Sequence, residues 1–323
     1  MPQVPVKILG TGIYLPSILV TSEELEKTYG YAPGTFEKAS DVKTRYIAKE
    51  ETSSQMGYYA VENALKDANM KKEDIDIIVS VSGVPQQALP TNAVLIHEKL
   101  KLKDTTLAFD INATCLGFLT GFFSMAHLIQ AGVYKNVVLV ASDIPSKGLN
   151  PKDPKTLSLF GDGAAACILG SSTSQGILGS YFNVKSSMAN LCSCKAGGTL
   201  MGITKDTLKD AYYFHMEGPK LFKAALKPVT EMIEYLKKQS AKEIDLFIPH
   251  QASPLVLDMF QRKLNIPQDK FIHIVRSFGN MIATSLPFAL HKAIETKKLV
   301  RGQRAILFGT GAGMTIGGLA FEY

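Results

Sequence analysis

A cysteine stands at position 115 in the stretch 109–118, "FDINATCLGF", between an apolar strand-like run and an uncharged helix-like run. Two readings fit that window. Cys115 is a packing residue, since free cysteine is among the most buried side chains, or it is a thiol held at a helix start for nucleophilic attack. Two more residues with chemical potential lie far along the chain. His250 follows Pro249 at the end of an apolar run, "LFIPHQA", and Asn280 follows Gly279 in "SFGNMIATSLP". Singly, the first reads as a loop histidine and the second as a turn signal. Their chemistry depends on whether the fold brings the three together.

Convergence of the three depends on the elements that carry them, and the chain repeats itself in a way that supplies it. "EDIDIIVSVSG" (73–83) and "KEIDLFIPHQA" (242–252) each give an acidic lead-in, a short apolar strand and a loop. A helical pattern follows each, "NAVLIHEKLKL" from Asn92 and "LVLDMFQRKLNI" from Leu255. A second strand is expected in "TLAFDINATC" and in "FIHIVRSFGN", then a helix, then a third strand in "KNVVLVASD" and "QRAILFGTG". Asp76 to Asp245 is 169 positions, and Cys115 to Asn280 is 165. A third echo sets "FGDGA" at Phe160 against "FGTGA" at Phe308, with a shorter offset of 148. The β-α-β-α-β order predicts mixed, largely parallel sheets covered by helices, in two pseudo-symmetric halves. The boundary is expected in "GSSTSQG", dividing the chain into 1–172 and 173–323. Cys115 and Asn280 then sit at equivalent strand-to-helix turns and His250 at a strand end. Such loops are where α/β sheets bind ligands, so the three converge on one cleft between the halves.

Composition removes several function classes. The 323 residues are 46% hydrophobic and 20% charged, an ordinary globular balance. A net charge of +6 carried by scattered Lys and Arg suits an anionic substrate better than nucleic acid. No CxxC, HExxH or His/Cys cluster has metal spacing, so no metal is expected. Cys167 reads as a core strand residue, and Cys192 and Cys194 as incidental loop thiols. The stretch 114–132 carries no charged residue but holds Thr114, Thr120, Ser124, His127 and Gln130, which favours a buried central helix over a membrane span. With no leader-like start, the chain is expected to be cytoplasmic and reduced. "GTGAGMTIGG" leaves too few residues after Gly313 for a dinucleotide-binding βαβ unit.

The motifs together resemble the β-ketoacyl-acyl-carrier-protein synthase III family, of the thiolase fold. The marks are "DINATCLGF" around Cys115, "FGDGAAA" at Phe160, "IPHQAS" around His250, "SFGNMIATSLP" around Asn280 and the terminal "GTGAGMTIGG", spread over nearly the whole chain. A Cys-His-Asn set is similar to synthase III and to the longer plant-type polyketide synthases. Elongating synthases use two His, and thiolases use a second Cys. The resemblance implies an α/β, thiolase-like fold of two pseudo-symmetric α-β-α-β-α layered halves. It implies an acyltransferase that loads an acyl group onto Cys115, whose pKa the helix N-terminus would lower. A malonyl-type thioester would then lose CO2 and its carbanion would condense with the acyl group. The backbone N–H groups of Cys115 and Gly313 would form the oxyanion hole, and His250 and Asn280 would hold the enolate.

The same resemblance implies coenzyme A or phosphopantetheine thioesters as substrates, no permanently bound cofactor, carrier protein as partner and a homodimer. Lys223, in "GPKLFKAAL", matches a basic carrier-docking position. Leu89, in "QQALPTN", matches the residue that reaches into the partner's acyl pocket, where a Phe is often found. The entrance departs from the family. Many relatives clamp adenine between a Trp and an Arg; this chain has no Trp and places Thr35, Ala39 and Pro154 at those positions, with Lys155 beside the last. Leu255 replaces a basic residue implicated in carrier docking. Two other readings remain: transfer of the acyl group to a hydroxyl or amine, and a non-catalytic partner subunit. Retention of all three catalytic residue types counts against the second. CO2 release from a malonyl thioester separates them.

Overall fold

The structure is a computed structural model that describes residues 3–202, 204 and 209–323. The first part of the chain forms β1 (Val4–Tyr14), β2 (Ile18–Thr21), α1 (Ser22–Tyr29), α2 (Thr35–Ser40), β3 (Thr44–Ile47), α3 (Ser53–Asp67) and β4 (Ile77–Ser80). Then come α4 (Asn92–Leu100), β5 (Leu107–Asp110), α5 (Gly117–Gln130), β6 (Asn136–Asp143), α6 (Pro154–Leu157) and β7 (Gly163–Val184). The remainder forms β8 (Cys192–Ser193), β9 (His215–Met216), α7 (Gly218–Ser240), β10 (Leu246–Pro249), α8 (Pro254–Lys263), α9 (Val275–Phe278), α10 (Ser285–Glu295), β11 (Arg304–Gly311) and β12 (Thr315–Glu322).

The packing is layered. The ladder runs β10-β11-β12-β7-β6-β4-β5, with β1 also on β7. One buried cluster joins Phe118, Phe122 and Ala126 of α5 to Leu286, Ala289 and Leu290 of α10, so the equivalent helices of the two halves fill the centre. A second puts Met56, Ala60 and Ile96 of α3 and α4 on Ile78 and Val140. A third puts Val229, Met232 and Leu257 of α7 and α8 on Phe247, Ile306 and Ile316. Helices thus cover both faces of each half-sheet and share the middle layer, the arrangement expected when strands are apolar on both sides. Stretch 114–132 supplies the central α5, and no helix among the described residues is long and apolar enough to cross a membrane.

Symmetry between the halves reaches individual hydrogen bonds. Asp76 Oδ2 accepts from Asn136 N at 2.9 Å, and Asp245 Oδ2 accepts from Arg304 N at 2.7 Å. Asn112 Oδ1 accepts from Thr114 N and its Nδ2 donates to Gly83 O; Asn280 Oδ1 accepts from Ile282 N and its Nδ2 donates to Ala252 O. Thr114 and Ile282 share a left-handed φ of 50° and 51°, a strained setting for β-branched residues. The counterpart of Asn280 is therefore Asn112, three residues before the cysteine, and the offset of 165 from Cys115 does not follow the duplication.

Three other expectations are corrected. First, "FIHIVRSFGN" contains no strand: Phe271 makes one isolated bridge to Phe247 before α9. The buried Gln251 side chain takes up the backbone there, donating to Ile272 O and accepting from Ile274 N and Val275 N. Second, the two "FG-G-A" segments are not equivalent, because Phe160 precedes β7 whereas Phe308 lies within β11. Glycine recurs because backbone is crowded at both. A Cβ on Gly161 would lie 2.2 Å from Phe278 O, and one on Gly309 would lie 2.6 Å from His250 Cβ. Third, β4–β5, β4–β6 and β10–β11 are parallel, but β1–β7, β6–β7, β7–β12 and β11–β12 are antiparallel. Each half ends by folding straight back on itself instead of crossing over. "GSSTSQG" lies inside β7, where the pairing partner changes from β6 (Asn136↔Gly170) to β12 (Glu322↔Gly176).

Candidate active site

Cys115 lies in a 3-10 turn, Thr114–Leu116, between the end of β5 and Gly117, where α5 begins. The turn is drawn hard against the residue that follows β4: a Cβ on Gly117 would lie 2.2 Å from Val81 O. On the opposite half, β10 ends at Pro249 and delivers His250, whose N donates to Phe308 O at 2.7 Å. A Cβ at Gly309 would meet both His250 Cβ, at 2.6 Å, and Leu116 Cδ2, at 3.3 Å. Glycine there lets the histidine and the cysteine-bearing turn approach the same point of β11. Asn280 joins from the turn after α9. Its Nδ2 donates to Ala252 O at 3.1 Å, and Ala252 N donates to His250 O at 2.8 Å. A Cβ on Gly83 would touch Ile282 Cγ2 and approach the Thr114 carbonyl, so the two symmetric turns face one another across Gly83. Gly313 sits in the tight β11–β12 connection at φ 129°, a backbone conformation open to glycine. The structure thus brings Cys115, His250 and Asn280 into one neighbourhood on three separate segments.

Electrostatics in this neighbourhood correct one expectation. The thiol of Cys115 is not lowered by its helix. It is pushed well up, first by burial, then by the negative charges of Cys192 and Asp143 when ionised, with only a backbone hydrogen bond acting the other way. The cysteine precedes the first residue of α5, and desolvation of a thiolate outweighs a helix end worth about half a charge. His250 is 4% exposed, and burial lowers its pKa to about 4, so it is a neutral imidazole at pH 7. Its Nδ1 has no hydrogen-bond partner among the described residues. A buried neutral imidazole beside a protonated thiol can accept a proton or donate a hydrogen bond as substrate arrives. Asn280 commits one amide hydrogen to Ala252 and keeps a second donor.

These shifts give a pH prediction. A raised pKa means less thiolate at any given pH. Alkylation of Cys115 by iodoacetamide should therefore be slow at neutral pH and rise to a midpoint above the free-cysteine value of about 8.5. Mass spectrometry of the labelled peptide checks this; a midpoint below that value would overturn it.

The other residues singled out in the sequence fall elsewhere. Leu89 is 81% exposed on the 83–91 loop, which has no counterpart of its length in the second half. Lys223 is exposed on α7, and Leu255 is 64% exposed at the start of α8. Thr35 and Ala39 lie on α2, which packs against α6, the helix that carries Pro154 and Lys155. Among the described residues, no cluster of His, Cys, Asp or Glu could hold a metal ion. Two groups beside the nucleophile escaped the sequence reading. Asp143 ends β6, and an acid closing an apolar strand at a ligand-binding sheet end was a usable signal. Cys192 is partly buried beside Cys115; nothing local in "LCSCK" announces that.

Comparison with known proteins supplies a family frame for this geometry. A profile described as 3-oxoacyl-[acyl-carrier-protein] synthase III matches residues 109–186, and its C-terminal companion matches residues 237–323. The β-ketoacyl-[acyl-carrier-protein] synthase III of Aquifex aeolicus is 34% identical over 321 residues, covering 98% of this chain and 99% of its own. The crystal structure of the 3-oxoacyl-[acyl-carrier-protein] synthase III from Aquifex aeolicus VF5 superposes with a TM-score of 0.89 at 32% identity, covering 98% of this chain and 100% of that one. The Pseudomonas aeruginosa PAO1 synthase III structure gives 0.89 at 26% identity, covering 99% and 98%.

Proposed function

The chain belongs to the β-ketoacyl-[acyl-carrier-protein] synthase III family, and on that premise we propose how it works as a condensing enzyme. An acyl thioester loads its acyl group onto Cys115 Sγ. The thiol proton passes to His250, the backbone N–H groups of Cys115 and Gly313 receive the tetrahedral oxyanion, and as it collapses the donor's C–S bond breaks and its thiolate leaves with the proton returned by His250. A malonyl thioester then loses CO2. The electrons of the broken C–C bond become an enolate, whose oxygen is held by His250 and the free Asn280 N–H. The enolate carbon attacks acyl-Cys115, a new C–C bond forms and the thiolate leaves. Meeting of His250 and the cysteine-bearing turn at Gly309 is the observation that carries this reading. A single incubation tests it: malonyl thioester should release CO2, and an acyl donor should place its mass on Cys115. Acyl transfer to a hydroxyl or amine without CO2 release would overturn it.

The remaining assignments extend the same proposal. The division at residue 172 falls where β7 changes partners. Coenzyme A or phosphopantetheine thioesters are the substrates, and the chemistry uses no resident cofactor. Exposed Lys223, with a net charge of +6, suits an acidic carrier protein. All four cysteines are free, in keeping with a cytoplasmic setting. Fatty-acid initiation and a secondary-metabolic pathway both use such a reaction, and the entrance without a Trp favours a primer other than a plain adenine-clamped acyl-CoA.

A homodimer is part of the reading. β5 ends the ladder with an open edge, and Leu107, Val94, Val84 and Leu89 are 48%, 41%, 41% and 81% exposed nearby. Open edges flanked by apolar side chains call for a cover, and a second copy related by a two-fold axis provides one. Sedimentation at micromolar concentration should give a particle of about twice 35.1 kDa; a monomer would remove the claim. With Leu89 reaching into the partner's acyl pocket, Leu89→Phe should disfavour the longer or bulkier acyl donors. An unchanged acyl profile would show that this loop does not line the pocket.

A further inference from the structure

Asp143 is fully buried at the end of β6, and its carboxylate makes four hydrogen bonds, all to neutral donors. Oδ1 accepts from Gly83 N at 2.9 Å and Val84 N at 3.0 Å. Oδ2 accepts from Thr284 N at 3.1 Å and Thr284 Oγ1 at 3.0 Å. The two oxygens therefore grip different halves of the molecule. Gly83 opens the loop that leads to Leu89, and its carbonyl accepts from Asn112, whose Oδ1 in turn receives Thr114 N beside the cysteine. Thr284 closes the turn that starts at Asn280, and its N also donates to Met281 O at 3.0 Å. Between the two gripped segments, Ile282 packs directly on Gly83.

The position is wrong for activating the nucleophile. A negative charge on Asp143 opposes thiolate formation at Cys115. A charge-assisted hydrogen bond is roughly twice as strong as a neutral one, and four converge here. Its contribution therefore lies in what it holds.

We propose that Asp143 is a positioning residue, a carboxylate clasp that holds the turn of Asn280 against the Gly83 loop and so keeps the enolate-binding amide in register with Cys115. The inference rests on the proposed condensation and names a residue that chemistry does not touch. A displacement of about 1 Å at a reacting centre costs roughly 10²-fold in rate. Asp143→Asn turns one acceptor oxygen into a donor that faces N–H groups, which loosens one side of the clasp.

The test compares Asp143→Asn and Thr284→Val with the parent chain in three assays: acylation of Cys115, decarboxylation of a malonyl thioester, and the pH midpoint of Cys115 alkylation. Decarboxylation should fall by roughly 10²-fold in Asp143→Asn, with acylation largely kept. The alkylation midpoint should move to lower pH, because a negative charge has left the thiol's surroundings. A merely structural residue would lower both half-reactions together instead of splitting them. Thr284→Val keeps the backbone donor and removes one bond; it should show a smaller loss of the same kind, and it decides the matter if Asp143→Asn does not fold. Equal losses in both half-reactions, or unaltered decarboxylation in Thr284→Val, overturns the proposal. A parent chain that releases no CO2 strikes the condensation reading instead, and the alkylation shift alone then shows whether the carboxylate bears on the thiol.

Discussion

Cys115→Ala should abolish acyl-enzyme formation completely while leaving the chain folded. The side chain lost is small, lies in a 3-10 turn, and takes no part in the central packing that Leu116 and Phe118 provide behind it. Replacing a thiol by a methyl group there creates little cavity, so the stability cost is minor. The chemical cost is total, because covalent catalysis ends when the nucleophile is removed. The measurement is intact-protein mass after exposure to a panel of acyl-CoAs. The parent chain should gain the mass of each accepted acyl group, and the variant should gain none at any donor concentration. Cys192 makes this a demanding test, since a second thiol stands nearby. A thioester-linked acyl mass that persists in Cys115→Ala would move the nucleophile to another residue, with Cys192 first in line.

Second in size is the effect of removing the two enolate ligands. Asn280→Ala should leave acylation of Cys115 intact and slow decarboxylation by about 10²–10³-fold, the cost of one positioned oxyanion donor. Acylation survives because the thiol, the backbone donors and His250 all remain. His250→Ala should slow decarboxylation by a similar factor and should also change acylation in a particular way. Burial holds the Cys115 thiol protonated, and His250, with its pKa lowered to about 4, is the neutral base beside it. Without that base the thiol must lose its proton to solvent, so acylation should be slow at neutral pH and rise steadily as pH is raised. Single-turnover acylation and CO2 release, each followed against pH, read the two effects separately. A loss of both half-reactions to the same degree in Asn280→Ala would undo the division of labour between Cys115 and the His/Asn pair.

The duplication was legible because it is written in residue types that local structure demands. An acid before an apolar strand caps the start of the parallel strand beside it in the sheet, which is why Asp76 and Asp245 recur and why both accept backbone N–H groups of that neighbour. Asn112 and Asn280 recur because the same strained turn needs a side-chain oxygen to receive the N–H two residues on. The offset of 165 failed because chemistry was matched to chemistry, cysteine to asparagine, across a repeat whose true partners are asparagine and asparagine. The missing strand at Phe271 failed for another reason. "FIHIV" has strand-like composition, but a buried glutamine twenty residues earlier satisfies its backbone. No local pattern reports what a distant side chain will do.

By itself, then, the sequence determined the two-half α/β plan and the central apolar helix, and it singled out the three residue types of the candidate site. These follow from periodicity, turn chemistry and motif order, which are properties of short windows. Only the tertiary structure decided the rest. It pressed Leu116 and His250 against one glycine, set Asp143 between the two halves, and placed Cys192 beside the nucleophile. It also reversed the sign of the expected shift on Cys115. A helix end is local and readable from sequence, but desolvation is the sum over everything that closes around a group, and in this fold that sum comes from both halves of the chain.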